Sequence, residues 1–369
     1  MICILSGKMT KNIYFILPFI MIGCNNLSTI DVDLSNSLII PNKYSINYTK
    51  NKLEIDGKDD ELDWDKALKT NDFIDIANNQ KPLQKTYMKM LWDDKNLYIY
   101  ARLYEKHIWG NITERDAVIF KNNDFEVFLK PSTYYSNYGE LEINALGTVW
   151  DLLLDKPYRL GGKANTKWNI NNLKSSVYIS GTLNKSNDED NFWSCEISIP
   201  LNEILKINGD NFDNVKAGDM WRANFSRVQW EHDLIDGNYS RKKEEGKLKR
   251  EYNWVWSRQG QINMHIPENW GFIYFNGEDE INKNFNLKID VTTEQYGYAL
   301  FEKIKYKELK YLNDLDVNSR VQFNSESLEK NNINAEFIKT KDGFFIKCKN
   351  QIDDFIYKIN QNGIIKYEF

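Results

Sequence analysis

The stretch Leu97-Tyr98-Ile99-Tyr100-Ala101-Arg102-Leu103-Tyr104 decides the fold. In an extended chain Leu97, Ile99, Ala101 and Leu103 fall on one side, and Tyr98, Tyr100, Arg102 and Tyr104 on the other. Asp93-Asp94-Lys95-Asn96 separates this run from Thr86–Trp92 (TYMKMLW), so the two runs are expected to form a hairpin. The same period of two, bounded by Gly, Asn and Asp, returns at Asp124–Lys130, Glu140–Asn144, Thr148–Leu153 and Ser176–Thr182. It returns again at Phe192–Ile199, Met220–Val228 and Trp270–Phe275. Many short strands separated by turns predict a mainly β protein built as an antiparallel β-sandwich. Pro200 closes one strand, and Leu201–Leu205 after it reads as a short helical turn.

At 369 residues the chain is longer than one core usually supports. Its character changes near residue 285. Tyr298, Phe301, Ile304, Leu309, Leu312 and Leu315 share one helical face, with Lys303, Lys307 and Lys310 opposite. Thr292 and Gln295 have the spacing of a capping box. Alternating runs follow at Ala335–Ile338, Gly343–Lys347, Phe355–Ile359 and Gly363–Phe369. A small C-terminal unit over 285–369 is therefore expected, one helix laid on an antiparallel sheet.

Composition excludes several function classes. The 48 Lys+Arg are balanced by 53 Asp+Glu, a net charge of −5, so the basic stripe of a nucleic-acid binder is missing. The 4 cysteines form no CxxC pair, which excludes a disulfide scaffold or a zinc ribbon. Cys195 alternates with Trp193, Ile197 and Ile199, so it is expected in a core, and no disulfide is expected. No GxSxG, HExxH, P-loop or dinucleotide fingerprint occurs. The 11 tryptophans all lie between Trp64 and Trp270.

The amino terminus reads as an address. Lys11–Gly23 (KNIYFILPFIMIG) has a basic start and an apolar run well short of the roughly 20 residues a spanning helix needs. Met21-Ile22-Gly23-Cys24 resembles a bacterial lipobox. That resemblance implies removal of residues 1–23 and lipidation of Cys24, followed by a tether over 24–50. The protein would then be anchored at the cell envelope, with the outer membrane expected. An ordinary cleaved signal peptide and simple export are the alternative.

Several segments resemble family 9 carbohydrate-binding modules, in family order. Ile55-Asp56-Gly57, Asp60-Glu61, Trp64 and Ala67 resemble the family's opening. Trp92-Asp93-Asp94 with Leu97-Tyr98 is similar to its first hairpin. Arg115-Asp116 and Asp124-Phe125-Glu126-Val127-Phe128 resemble its Arg-Asp segment and the following strand. Glu140–Thr148, Glu196 with Ile199-Pro200, and Gly218 with Trp221–Phe225 and Arg227 continue the order. Trp256-Ser257, Gly260, Ile262–His265, Pro267-Glu268 and Trp270-Gly271 resemble its ending. The resemblance spans about 51–278 and implies a DOMON-like, jelly-roll type sandwich. It also implies non-catalytic binding of an oligosaccharide or polysaccharide between aromatic faces and polar side chains. Asp236–Lys249 has no clear counterpart.

Sugar binding needs flat apolar faces for the CH side of a pyranose and planar polar groups for its hydroxyls. Alternation sends Trp64, Trp193 and Trp221 to the core. Trp109, Trp150, Trp230, Trp254 and Trp256 lie at strand ends or loop edges, and Trp109, Trp150, Trp230 and Trp256 are the stacking candidates. The polar candidates are Arg115, Asp116, Glu142, Asn144 and Arg227. Arg115 and Asp116 fit a structural ion pair equally well, and Glu142 and Asn144 share one strand face. His265 reads as a histidine that locks the final loop. Met264 and His265, being adjacent, point to opposite faces and cannot both ligate a haem iron.

The enzymatic alternative is a glycoside hydrolase using two of Asp124, Glu126, Glu140 and Glu142. It requires carboxylates about 5–9.5 Å apart. The acidic run Asn187–Asp190 is a candidate calcium loop without the EF-hand pattern, and a solvated loop fits it as well.

Overall fold

The computed structural model describes residues 28–132, 135–209, 212–352 and 355–368. The signal segment 1–23 and the lipidation candidate Cys24 lie outside the described residues. In chain order the first strands are β1 (Ser28–Asp31), β2 (Lys43–Tyr48), β3 (Ile74–Asp75), β4 (Thr86–Trp92), β5 (Asn96–Tyr104) and β6 (Asp124–Lys130). Then come β7 (Tyr138–Asn144), β8 (Val149–Leu154), β9 (Ala164–Asn165), β10 (Lys174–Ser180), β11 (Phe192–Pro200), the helix α1 (Leu201–Leu205) and β12 (Met220–Gln229). Two short hairpins follow, β13 (His232–Ile235) with β14 (Asn238–Arg241) and β15 (Lys243–Glu244) with β16 (Lys247–Leu248). These hairpins fill the segment without a family counterpart. The sandwich closes with β17 (Tyr252–Val255) and β18 (Gly271–Phe275).

The first sheet runs β10-β11-β5-β4-β2 and the second β2-β18-β12-β6-β7-β8-β9, with β17 and β3 continuing beside β12. Most pairings are antiparallel, as the alternation predicts. β2 is the exception. Its residues 43–46 pair in parallel with β18, and Asn47 and Tyr48 pair in parallel with β4, so one strand serves both sheets.

The expected hairpin forms. Asp93 Oδ1 accepts from the Lys95 and Asn96 amides at 2.8 and 2.7 Å, and its other oxygen accepts from Tyr98 at 2.8 Å. Between the sheets lie Leu97, Ile99, Ala101 and Leu103 of β5 and Trp193, Cys195 and Ile197 of β11. From the second sheet come Phe125 and Val127 of β6, Leu141 and Ile143 of β7 and Ala223 and Phe225 of β12.

The opening motif is structural. Residues Leu53 to Ala67 cover the far side of β4 and β5, where Trp64 packs on Tyr100. Glu196 accepts from Trp64 Nε1 and from the Asp56 and Gly57 amides, with burial raising its pKa to about 7. Gly57 holds φ +93°, and a Cβ there would lie 2.6 Å from the Tyr178 amide nitrogen. Glycine is required at that crossing.

The C-terminal unit has a sheet in the order β1-β19-β20-β21-β22-β23, with β19 (Arg320–Asn324), β20 (Ile333–Thr340), β21 (Gly343–Asn350), β22 (Ile356–Asn360) and β23 (Ile365–Glu368). A second helix, α2 (Val291–Tyr306), covers its inner face. Tyr296, Leu300, Phe301 and Ile304 meet Phe337, Ile346, Cys348 and Ile359 there. A short α3 (Glu326–Lys330) links β19 to β20.

Two expectations are corrected. The helix N-cap is Asp290, whose side chain accepts from the Thr293 amide, whereas Gln295 reaches out to the Ile39 amide and carbonyl at 2.9 and 2.8 Å. Residues 28–50 of the segment expected as a tether are part of the fold: β1 pairs in parallel with β19, Leu34 joins the C-terminal core, and β2 enters the sandwich. Its apolar residues find partners far along the chain, which local composition does not reveal. Cys195 and Cys348 are buried in separate cores, both with free thiols.

Candidate functional site: an acidic and aromatic cleft

With Phe125, Val127 and Leu129 turned inward, β6 presents Asp124, Glu126, Phe128 and Lys130 outward. β7 likewise presents Tyr138, Glu140, Glu142 and Asn144. The pairing register sets Ser226, Glu126, Glu142 and Trp150 side by side across β12, β6, β7 and β8. Phe128 and Glu140 are neighbours in the next row. Loops close over this face. Phe120 comes from a 3-10 turn (Ile119–Lys121), and Tyr158 from another (Tyr158–Leu160) that follows Pro157. Met264 and His265 come from the loop before β18.

Of these residues Glu126, Phe128, Glu140, Glu142, Trp150, Phe120, Tyr158, Met264 and His265, with Leu152, Val228, Glu251, Asn253 and Asn263, line a cleft of about 240 Å³. Phe120 and Tyr158 remain 39% and 46% exposed on it. The loop is fixed from behind: Trp270 Nε1 donates to the Met264 carbonyl at 2.7 Å, and Tyr138 and His265 Nδ1 share a hydrogen bond of 2.7 Å. His265 packs edge-on against Tyr158 at 4.6 Å.

The electrostatics are one-sided. Glu126, Glu140 and Glu142 are buried, and one oxygen of each lies within 4.8 Å of the others. Asp124 is also fully buried, and neither of its carboxyl oxygens has a hydrogen-bond partner. Burial, with neighbouring carboxylates adding to it, pushes Asp124, Glu140 and Glu142 well above the usual carboxylate range. Burial pushes Glu126 up to about 7. Ser226 is near enough to pull Glu126 the other way, yet its hydroxyl makes no hydrogen bond.

Glu142 accepts from the Phe120 amide at 2.9 Å. One oxygen each of Glu126 and Glu140, and Trp150 Nε1, have no hydrogen-bond partner. No Lys or Arg lines the cleft. Burial lowers His265 to about 4, so it is neutral at pH 7.

Of the nine residues proposed from sequence to bind sugar, Glu142 and Trp150 are in this cleft and the other seven are elsewhere; the hydrolase candidates Glu126 and Glu140, and Met264 and His265, line it too. Asn144 spends its amide on the Ile112 carbonyl and on the Leu146 and Thr148 amides, bracing the β7–β8 turn. Arg227 is fully buried between the sheets, bonded to Gln229, Thr86 and the Tyr104 carbonyl and 3.4 Å from Glu105. Trp256 stands edge-on to Phe225 in the core, and a Cβ on Gly271 would lie 2.3 Å from its ring.

Trp109 stacks on Tyr239, and Trp230 donates to the Phe120 carbonyl, both in a satellite cluster with Val228. Arg115 pairs with Asp151 at 2.5 Å and lies 3.6 Å from Asp116. The Asn187–Asp190 loop uses Asp190 to accept from the Ile108 and Thr182 amides, a structural brace.

Glu126 and Glu140 were named from sequence only as candidate hydrolase carboxylates; the β6–β7 register is what sets Glu126 beside Glu142. Phe120, Tyr158 and His265 sit on loops, where no periodic signal announces them.

The architecture is thus a β-sandwich with an acidic, aromatic-walled cleft on its outer face. No family model matches the chain, and no curated protein matches it. Among solved structures it is similar to a protein from Bacteroides uniformis ATCC 8492 provisionally described as carbohydrate-binding, at 13% identity and a TM-score of 0.46, over 63% of this chain and 99% of that one. It is also similar to a family 9 carbohydrate-binding module from Caldicellulosiruptor kristjanssonii in complex with cellotriose, at 14% identity and a TM-score of 0.40, over 67% of this chain and 100% of that one. The glucose complex of a family 9 module from the same organism gives 14% identity and a TM-score of 0.40, over 66% and 100%. At identities this low and TM-scores below 0.5, the chemistry of the cleft has to stand on its own residues.

Proposed function

We propose that the protein binds an oligosaccharide or polysaccharide without catalysis, in the cleft between Trp150, Tyr158 and Phe120. The observation that carries this reading is the pairing of exposed aromatic rings with a row of buried carboxyls holding unpartnered oxygens. Sugar hydroxyls donate to such oxygens, while ring faces take the CH side of a pyranose. The sequence resemblance to family 9 modules supports the same reading. The lipobox-like Met21–Cys24 supports a place at the bacterial cell envelope, held by a lipid on Cys24, where the protein would capture glycan for uptake or breakdown.

A second reading, a glycan-active enzyme, draws on the same carboxyls, one or more of which stay protonated near neutral pH as a general acid must. The approach of their oxygens within 4.8 Å is tighter than the roughly 6.5–9.5 Å of an inverting pair and nearer the roughly 5–5.5 Å of a retaining one.

Affinity gels over a broad polysaccharide panel, paired with a product-release assay, separate the readings. Retention without product is expected; product would establish catalysis, and neither would remove both. Trp150→Ala should weaken retention about tenfold, in line with one lost aromatic contact. Unchanged retention would move the sugar out of this cleft.

A further inference from the structure

We propose that Glu126, Glu140 and Glu142 bind a divalent cation of calcium's size on the floor of the cleft, and that neighbouring hydroxyls of the bound sugar complete its coordination. The carbohydrate reading supplies the outer ligands in this inference; the cation site itself is argued from the protein's own atoms.

Geometry is the first argument. Oxygens bound to one calcium ion at about 2.3–2.6 Å can be no more than about 5 Å apart. One oxygen from each of the three glutamates meets that limit, at 4.8 Å or less. Magnesium, at about 2.1 Å, would draw the same three oxygens to within about 4.2 Å.

A second argument lies outside the glutamates. The Ser226 hydroxyl is fully buried, stands opposite Glu126 in the register on the same outward face, and has no hydrogen-bond partner. A buried hydroxyl left unpaired is costly, and this one stands beside Glu126 of the cluster.

Charge is the third. Asp124 adds a further buried carboxyl beside the cluster, Glu251 faces it from the rim, and the lining contains neither Lys nor Arg. Aromatic and apolar walls exclude much of the water that would otherwise screen the cluster. The groups facing the cluster are Asp124, Glu251, Tyr158 and His265, and none of them is cationic at pH 7. Three glutamates supply part of a shell of six to eight oxygens. The cleft volume of about 240 Å³ leaves space for two hydroxyls of a sugar beside the ion.

The test uses the folded chain, stripped with EDTA and titrated with calcium by calorimetry and by the shift in melting temperature. The same sample is titrated with terbium, whose luminescence Trp150 should sensitise. Saturable binding with a dissociation constant on the order of 10⁻⁴ M is expected. Glu140→Gln should weaken it at least about tenfold while melting no lower than the parent, because it removes a buried charge from a crowded set. No calcium binding at about 10 mM overturns the proposal.

Polysaccharide retention with EDTA and with added calcium forms the other arm. Retention lost in EDTA and restored by calcium supports the shared coordination. Retention indifferent to EDTA, with no calcium bound, overturns the cation site and leaves the sugar reading intact. Calcium binding with no retention on any gel supports the cation site and overturns the sugar reading.

Discussion

The outer face of the second sheet treats buried charge in two opposite ways. Toward the C-terminal unit, β6 and β12 carry Lys130 and Arg222, paired in register. There Arg222 bonds Glu294 of α2 and the carbonyls of Pro267 and Glu268, and Arg159 joins Glu268 and Glu302. A few residues along the same strands, Asp124, Glu126, Glu140 and Glu142 are just as buried and meet no cation. The first arrangement neutralises its charges and ties two cores together. The second leaves its carboxyls without a cationic partner, which costs stability and makes sense at a place kept ready for a ligand.

Breaking the paired end should have the largest effect. Glu294→Ala strands a fully buried guanidinium and should cost about 3–5 kcal/mol, read from the urea midpoint. A loss below about 1 kcal/mol would mean that Arg222 finds other partners and that the two ends differ less than their geometry says.

The acidic end should respond to pH in its own way. Glu126 has a folded-state pKa raised to about 7 from 4.5, so its contribution is full below about pH 4.5 and lost as pH rises through 7. Asp124, Glu140 and Glu142 are shifted in the same direction. His265, lowered to about 4, has the opposite sign, its contribution being lost as pH falls from 6.5 through 4. The readout is therefore a difference. Subtracting the melting curve of Glu126→Gln from that of the parent should leave a stability that falls between pH 4.5 and 7, by an amount on the order of 2 kcal/mol. A flat difference would mean that the acidic end is already neutralised.

The smallest effect tests whether the paired end depends on its helix. Asp290 caps α2 and also accepts from Asn350 at 2.5 Å. Asp290→Ala should cost about 1 kcal/mol in thermal melting and leave sugar retention unchanged.

Much of this was legible from local pattern. The run Asp124–Lys130 begins and ends as a strand where its alternation says, with Phe125, Val127 and Leu129 facing the core. Trp193 and Trp221 are buried, again by alternation. The site was less legible. Of the tryptophans proposed to stack on sugar, Trp109, Trp230 and Trp256 are packed inside, because a tryptophan at a strand end still finds a core when a neighbouring loop folds over it. Arg227 looked like a hydroxyl partner from its residue type and turned inward, where Gln229 and Glu105 satisfy it.

The sequence by itself determined the alternation, and with it the sandwich and the burial of Cys195. Its period of two says which residues share a face. It does not say what, if anything, will cover that face. Tertiary structure decided that Arg222 meets α2 while Glu142 meets an open cleft, and that Phe120, Tyr158 and His265 converge on it. It also decided that a supposed tether supplies a strand to each unit. Each of these outcomes joins residues far apart in sequence, and local propensity contains no information about such pairings.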